Sequence, residues 1–157
     1  MRIVPLVLCC LISIGCSDSS FYDQHGHSVE LATSGEGWTV INYWAQWCEP
    51  CRHEIPELNR LHHADNGVRV LGVSFDGADT PAELGRQIGD MGIEFPVLDR
   101  DPAAELGRER PLGLPSSWLL NSAGEVVEQR LGPQTEAELL ALITGYRNEG
   151  LAEASGN

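Results

Sequence analysis

The chain predicts an α/β domain: a central mixed β-sheet with helices on both faces and an extra strand at its N-terminal end. Three observations carry that prediction. Apolar β-rich runs alternate with amphipathic helical stretches, the alternation closes in a hairpin followed by a helix, and 157 residues suffice for one domain with a real core.

His27-Ser28-Val29-Glu30-Leu31 alternates in polarity and reads as the first strand. Ser34-Gly35-Glu36-Gly37 turns the chain into a buried strand from Trp38 to Trp44. Beyond Cys51, the residues Ile55, Leu58 and Leu61 recur at helical spacing until Asn66-Gly67. Pro56 falls inside this helix, where it removes a hydrogen bond and is expected to introduce a kink. Val68 to Phe75 has the apolar, β-rich character of a central strand. Thr80-Pro81-Ala82-Glu83 joins a capping box to a proline at the first helical position and opens a helix reaching Met91. Phe95 to Leu98 reads as a short strand, and Asp101-Pro102 as the start of a short helix. Ser117 to Leu120 and Val126 to Arg130 flank Asn121-Ser122-Ala123-Gly124, a hairpin signature. Thr135 and Glu138 cap a last helix whose apolar face is Leu139, Leu142, Ile143 and Tyr146. The expected order is β-β-α-β-α-β-α-β-β-α, without internal repeats.

Ile3 to Ile14 is apolar, follows Arg2, and at about 12 residues is too short for the roughly 20 that span a bilayer as a helix. It reads as the apolar region of an export signal. Gly15-Cys16 at its end resembles a bacterial lipoprotein cleavage site, which makes Cys16 a lipidated first residue; a plain cleaved signal and an uncleaved anchor are the alternatives. The expected organisation is a signal over 1–15, a lipidated cysteine and polar tether over 16–24, the domain over 25–147 and a flexible tail over 148–157. Formal net charge is −13, and all ten basic residues are Arg. Such acidity reads chiefly as a solvated surface, and it argues against nucleic acid and anionic membrane surfaces as partners.

Trp47-Cys48-Glu49-Pro50-Cys51 places two thiols where a strand gives way to a helix. Unpaired N–H groups and the positive end of the helix dipole favour a thiolate there, so Cys48 is expected to deprotonate easily. Cys51, one turn further in, can reach Cys48 and close a small, reducible disulfide. Of the five cysteines, lipoprotein processing removes Cys9 and Cys10 and consumes Cys16, leaving only this pair free. An exported chain with one free CxxC reads as a redox protein. A zinc half-site is the competing reading, but zinc needs four ligands and no second CxxC exists. A c-type haem needs His after the second cysteine, where Arg52 stands. His53, His62 and His63 read as solvated helix residues rather than ligands, and His25 and His27 carry no signal. Neither a metal nor another cofactor is expected.

The stretch Asn42-Tyr43-Trp44-Ala45 leading to Trp-Cys-Glu-Pro-Cys resembles the thioredoxin fold, and more narrowly the TlpA/ResA-like exported thiol–disulfide oxidoreductases. Cys48 to Cys51, Glu54, Pro56 and Pro115 match that family's pattern, over roughly residues 25 to 147. The resemblance implies that Cys48 is the attacking, exposed thiolate and that Cys51, more buried, resolves the mixed disulfide. Thioredoxins proper carry Asp where this chain has Asn42, so proton handling passes to Glu54, near Cys51 on its helix face; burial there raises a carboxyl pKa. Pro115, in Leu114-Pro115-Ser116-Ser117, corresponds to the cis-proline facing the dithiol, and Leu114 offers backbone groups to an extended substrate. Trp47 shields one side of the disulfide, while Trp44 belongs to the core. Glu49 and Pro50 tune the pair: a carboxylate beside a forming thiolate opposes it and favours a reductant.

The expected function is that of a membrane-anchored lipoprotein, exported to the periplasmic side and monomeric, that reduces protein disulfides. Its electrons come from an integral-membrane thiol donor, and oxidised apocytochrome c cysteines are one implied substrate class. A disulfide-forming oxidant of the same fold, a copper-binding chaperone using the dithiol with His53 or His63, and a peroxidase acting through Cys48 are the alternatives.

Overall fold

The computed structural model of the chain describes residues 20–155. The signal segment and Cys16, with the lipidation expected there, lie outside the described residues.

Two short strands, β1 (Phe21–Tyr22) and β2 (Ser28–Val29), pair antiparallel ahead of the main sheet. Then follow β3 (Trp38–Trp44), α1 (Glu49–His63), β4 (Val68–Ser74), α2 (Pro81–Met91), β5 (Ser116–Leu120), β6 (Val126–Leu131) and α3 (Glu136–Ser155). The main sheet runs in the order β4-β3-β5-β6. β3 pairs parallel with β4 across the α1 crossover and antiparallel with β5, and β5 pairs antiparallel with β6. The mixed sheet is therefore as the sequence predicts.

Alternation along β3 divides the core. Trp38, Val40 and Trp44 face a layer filled by Ile55, Leu58 and Leu61 of α1, Leu84, Ile88 and Met91 of α2, and Leu139 and Ile143 of α3. Ile41 and Tyr43 face the other layer, with Leu71, Val73, Trp118 and Leu120. That second face is covered not by a helix but by Phe21, Leu98 and the segment around Ala103 and Leu106. The helix expected from Asp101-Pro102 is a turn: Leu106 N–H donates to Pro102 O at 3.0 Å, and Gly107 at φ 63° takes the chain out of helical space. Likewise Phe95 to Leu98 forms only isolated bridges, Gly72 with Val97 and Asp23 with Leu98.

Regular structure begins earlier and α3 runs longer than the sequence pattern predicts. Phe21, placed in the tether by its polar neighbours, is 4% exposed under the Arg100 guanidinium, 4.0 Å above its ring. At the other end α3 continues past Asn148 to Ser155, where a flexible tail was expected. The segment after β2 is held to the sheet by Arg69 on β4. Its guanidinium donates to the carbonyls of Glu30, Leu31 and Ala32, and its Nε donates to Thr39 Oγ1 at 2.9 Å.

Candidate active site

The site forms where the sheet strands end together. Tyr43 pairs with Ser116 and Ser116 with Leu131, while Phe75 N–H donates to Trp44 O at 2.8 Å. The C-terminal ends of β3, β4 and β6 and the start of β5 thus share one sheet end. From there β3 runs through Ala45 to Cys48, which caps α1 with extended backbone. Pro50 lies in the first turn, where a missing N–H costs nothing.

Cys48 and Cys51 are joined in a disulfide, with Cα atoms 5.3 Å apart. The Cys51 N–H, one of the unpaired donors of the first helical turn, points at Cys48 Sγ at 3.3 Å. A capping serine is bonded the same way, so a thiolate at Cys48 meets a donor already in place. Cys48 is 3% exposed and Cys51 fully buried. The order of access is as expected, but Cys48 is not the exposed sulfur that the sequence suggests.

Glu54 points inward from α1 and is 2% exposed. Its Oε1 accepts from Asn42 Nδ2 at 2.6 Å, and its Oε2 accepts from the Gln134 backbone N–H at 2.9 Å. Asn42 Nδ2 also donates to Ser117 Oγ at 3.2 Å, and both residues are fully buried. Burial pushes the Glu54 carboxyl up to about 7, against the two hydrogen bonds that favour its charged form. Burial thus favours the neutral acid here far more than water would.

The Leu114–Pro115 peptide bond is cis, and Pro115 is buried. Pro115 O accepts from Gly132 N–H at 2.9 Å, while among the described residues no hydrogen bond engages the Leu114 backbone. Leu112 and Leu131 are exposed beside this loop, and Leu131 Cδ1 comes within 3.3 Å of where a Cβ on Gly113 would stand.

Trp47 is 67% exposed, and its Nε1 donates to Asp76 Oδ2 at 2.7 Å. A cleft of about 720 Å³ opens next to this pair, lined by Tyr22, Phe75, Asp76, Leu98 and Arg110 among others. Glu49 turns outward to His53, 3.4 Å away. The other histidines are engaged separately: His63 with Glu94 at 2.9 Å, and His62 Nδ1 with the Val70 N–H at 3.1 Å. Among the described residues no group of three His, Cys, Asp or Glu side chains is placed to hold a metal ion.

The structure therefore brings Cys48, Cys51, Glu54 and Pro115 to one sheet end. It adds Ser117, Gln134 and Asp76, which carry no signal in the sequence because each acts through a partner more than 25 positions away.

The sequence profile of the AhpC/TSA family matches residues 16–129. The thiol-disulfide oxidoreductase ResA of Bacillus thuringiensis (strain Al Hakam) is 32% identical over 120 residues, covering 74% of this chain and 68% of that protein. The thiol:disulfide interchange protein HelX of Rhodobacter capsulatus is 33% identical over 98 residues, covering 62% of this chain and 53% of HelX. Among solved structures, a thioredoxin-family thiol:disulfide interchange protein from Chlorobium tepidum superimposes with a TM-score of 0.61 at 22% identity, over 80% of this chain and 90% of that one.

Proposed function

We propose that this chain, which belongs to the AhpC/TSA family and within it to the ResA-like thiol–disulfide oxidoreductases of thioredoxin fold, works in the reducing direction on protein disulfides outside the cytoplasm. Thiol–disulfide exchange itself is carried by Cys48 and Cys51. In the reducing direction the Cys48 thiolate attacks one sulfur of a substrate disulfide, forms the mixed disulfide and releases the first substrate thiolate. Cys51 then loses its proton to the Glu54 carboxylate and attacks Cys48 Sγ, which releases the second substrate thiolate and closes the Cys48–Cys51 disulfide. Two electrons pass to the substrate, and its two thiolates take up two protons.

The observation that carries this reading is Glu54, buried, a helical turn beyond Cys51 and poised at about 7. A base of that strength accepts the proton of a buried thiol without holding it too tightly to return it. Regeneration runs the other way: a donor thiolate attacks Cys48 Sγ, since Cys48 is the less buried residue of the pair. Glu49 and Pro50 between the cysteines set the poise, and Trp47 closes one flank. A substrate segment lies extended along Leu114, against Pro115 and the exposed Leu112 and Leu131.

Export and lipidation at Cys16 place this monomeric domain beside an integral-membrane thiol donor, which an oxidising compartment requires. Oxidised apocytochrome c cysteines are the substrate class that the family resemblance implies. The test is the reduction potential of a soluble form beginning after Cys16, read by Trp47 fluorescence in thiol redox buffers. A value near or below about −220 mV supports a reductant, and one near about −120 mV makes the protein an oxidant and overturns the reading.

A further inference from the structure

One buried polar atom at the site stands apart: among the described residues none donates to Asn42 Oδ1, although Asn42 is fully buried. An orphaned buried amide oxygen ordinarily bears the full cost of its lost hydration. The other end of the same amide is crowded, with Nδ2 shared between Glu54 Oε1 and Ser117 Oγ. This arrangement suits a carboxylate, which only accepts. It does not suit a carboxylic acid, whose O–H needs an acceptor, because both Glu54 oxygens face donors.

We propose that Asn42 is a positioning residue that turns its side-chain amide over when Glu54 takes up a proton. This deepens the reading of Glu54 as the proton acceptor for Cys51. In the charged state Asn42 Nδ2 donates to Glu54 Oε1. When the Cys51 proton arrives, a half-turn about the terminal Asn42 torsion presents Oδ1, which then accepts the Glu54 O–H. Ser117 suits both states, since its hydroxyl accepts from Nδ2 in the first and donates to Oδ1 in the second. The orphaned oxygen makes the turn possible: a donor bonded to it would lock the amide, whereas here each orientation leaves one end of the amide without a partner.

The groups around Glu54 leave this exchange undisturbed by other charges. β3 contributes Asn42, β5 contributes Ser117, and the loop before α3 contributes the Gln134 N–H. On α1 the neighbour is Cys51, which does not titrate while in the disulfide. The next acids along α1 and α3, Glu57 and Glu136, are both paired with Arg60.

The test is nuclear magnetic resonance on the full-length oxidised chain, where Cys51 is silent. The Glu54 carboxyl carbon is titrated from about pH 5 to about pH 9. Overhauser contacts from the Asn42 amide protons to the Ser117 β-protons are followed in parallel. The contacts are expected above the Glu54 midpoint and lost below it. In Glu54→Gln the glutamine amide donates where the acid O–H did, so the contacts are expected to be weak at every pH. Asn42→Leu removes the donor to the charged form and the acceptor to the neutral form together, so the proton affinity of Glu54 is expected to change by well under about tenfold. A rise of about tenfold marks an amide that only donates and overturns the proposal. Contacts that persist unchanged through the Glu54 titration overturn the proposal, as does a Glu54→Gln protein with the high-pH pattern. The first two measurements decide even if Asn42→Leu does not fold. A switch that follows Glu54 while dithiol exchange in Glu54→Gln keeps the wild-type pH profile upholds Asn42 and removes Glu54 from proton transfer.

Discussion

Glu54 is a carboxyl group held where its charge is unwelcome, and that has a signature in stability. Folded, it keeps its proton up to about pH 7, whereas its ordinary value is 4.5. Between those two values the native state binds more protons than the unfolded state, so the Glu54 contribution to stability falls as pH rises and is level above about 7. The full span is about 3 kcal/mol at 1.36 kcal/mol per pH unit. Glu54→Gln removes the dependence. In urea denaturation of the oxidised proteins, the variant is expected to gain on the wild type steadily between pH 4.5 and 7 and to hold its lead above; a pH-independent difference would refute the burial account. Cys51→Ser tests the division between the sulfurs. It is expected to accumulate a mixed disulfide through Cys48 that mass spectrometry detects, whereas Cys48→Ser traps none. The disulfide pair and the candidate Glu54 were legible because spacing along one helix carries them: Cys48 caps α1, and Cys51 and Glu54 follow within its first two turns. Their supports were not, since Asn42, Ser117 and Gln134 meet Glu54 only through strand register and the loop after β6. Nor was the burial of Cys48 legible, because its cover comes from the folded sheet end.

The elements foretold best are those whose pattern is local. β3 and α2 match their expected limits, the first through an unbroken apolar run and the second through Thr80, whose Oγ1 accepts from Glu83 N–H at 3.1 Å, with Gly92 ending the helix at φ 68°. Elements that depend on what packs against them departed from expectation. Phe95 to Leu98 has the composition of a strand, yet it meets β4 only around Gly72, with Gly72 N–H donating to Pro96 O at 2.8 Å and Leu98 N–H to Gly72 O at 2.9 Å. Gly72 is needed there for closeness rather than backbone freedom. A Cβ would stand 2.9 Å from Val97 Cγ2, 3.0 Å from Trp44 Nε1 and 3.1 Å from Phe95 Cε2. Gly72→Ala is therefore expected to cost about 1–3 kcal/mol in chemical denaturation, as overpacked cores do. An unchanged midpoint would mean that the segment gives way freely. α1 and α3 are joined by acids: Glu54 accepts from Gln134 N–H and Glu57 from Glu136 N–H, both at the start of α3. The Glu54 carboxyl thereby also helps to seat the last helix, where the helix dipole favours it.

At the scale of the whole molecule, a net charge of −13 surrounds a site whose contact surface is apolar, with Trp47, Leu112 and Leu131 exposed. Long-range charge governs how partners arrive, and apolar contact governs how they stay. Exchange with a basic disulfide-containing polypeptide is expected to slow severalfold as ionic strength rises from about 0.01 M to about 0.15 M, while exchange with a neutral small disulfide stays constant. Stopped-flow Trp47 fluorescence distinguishes the two, and equal salt dependence would discount steering. A further consequence lies in Arg69, at the opposite end of β4 from the redox pair. One guanidinium there grips three successive carbonyls while its Nε holds Thr39, so a single side chain fixes the segment that leads into β3 to both β3 and β4. Arg69 works as a rivet: its removal is expected to loosen the entry segment while the sulfurs, at the far end of the sheet, keep their setting.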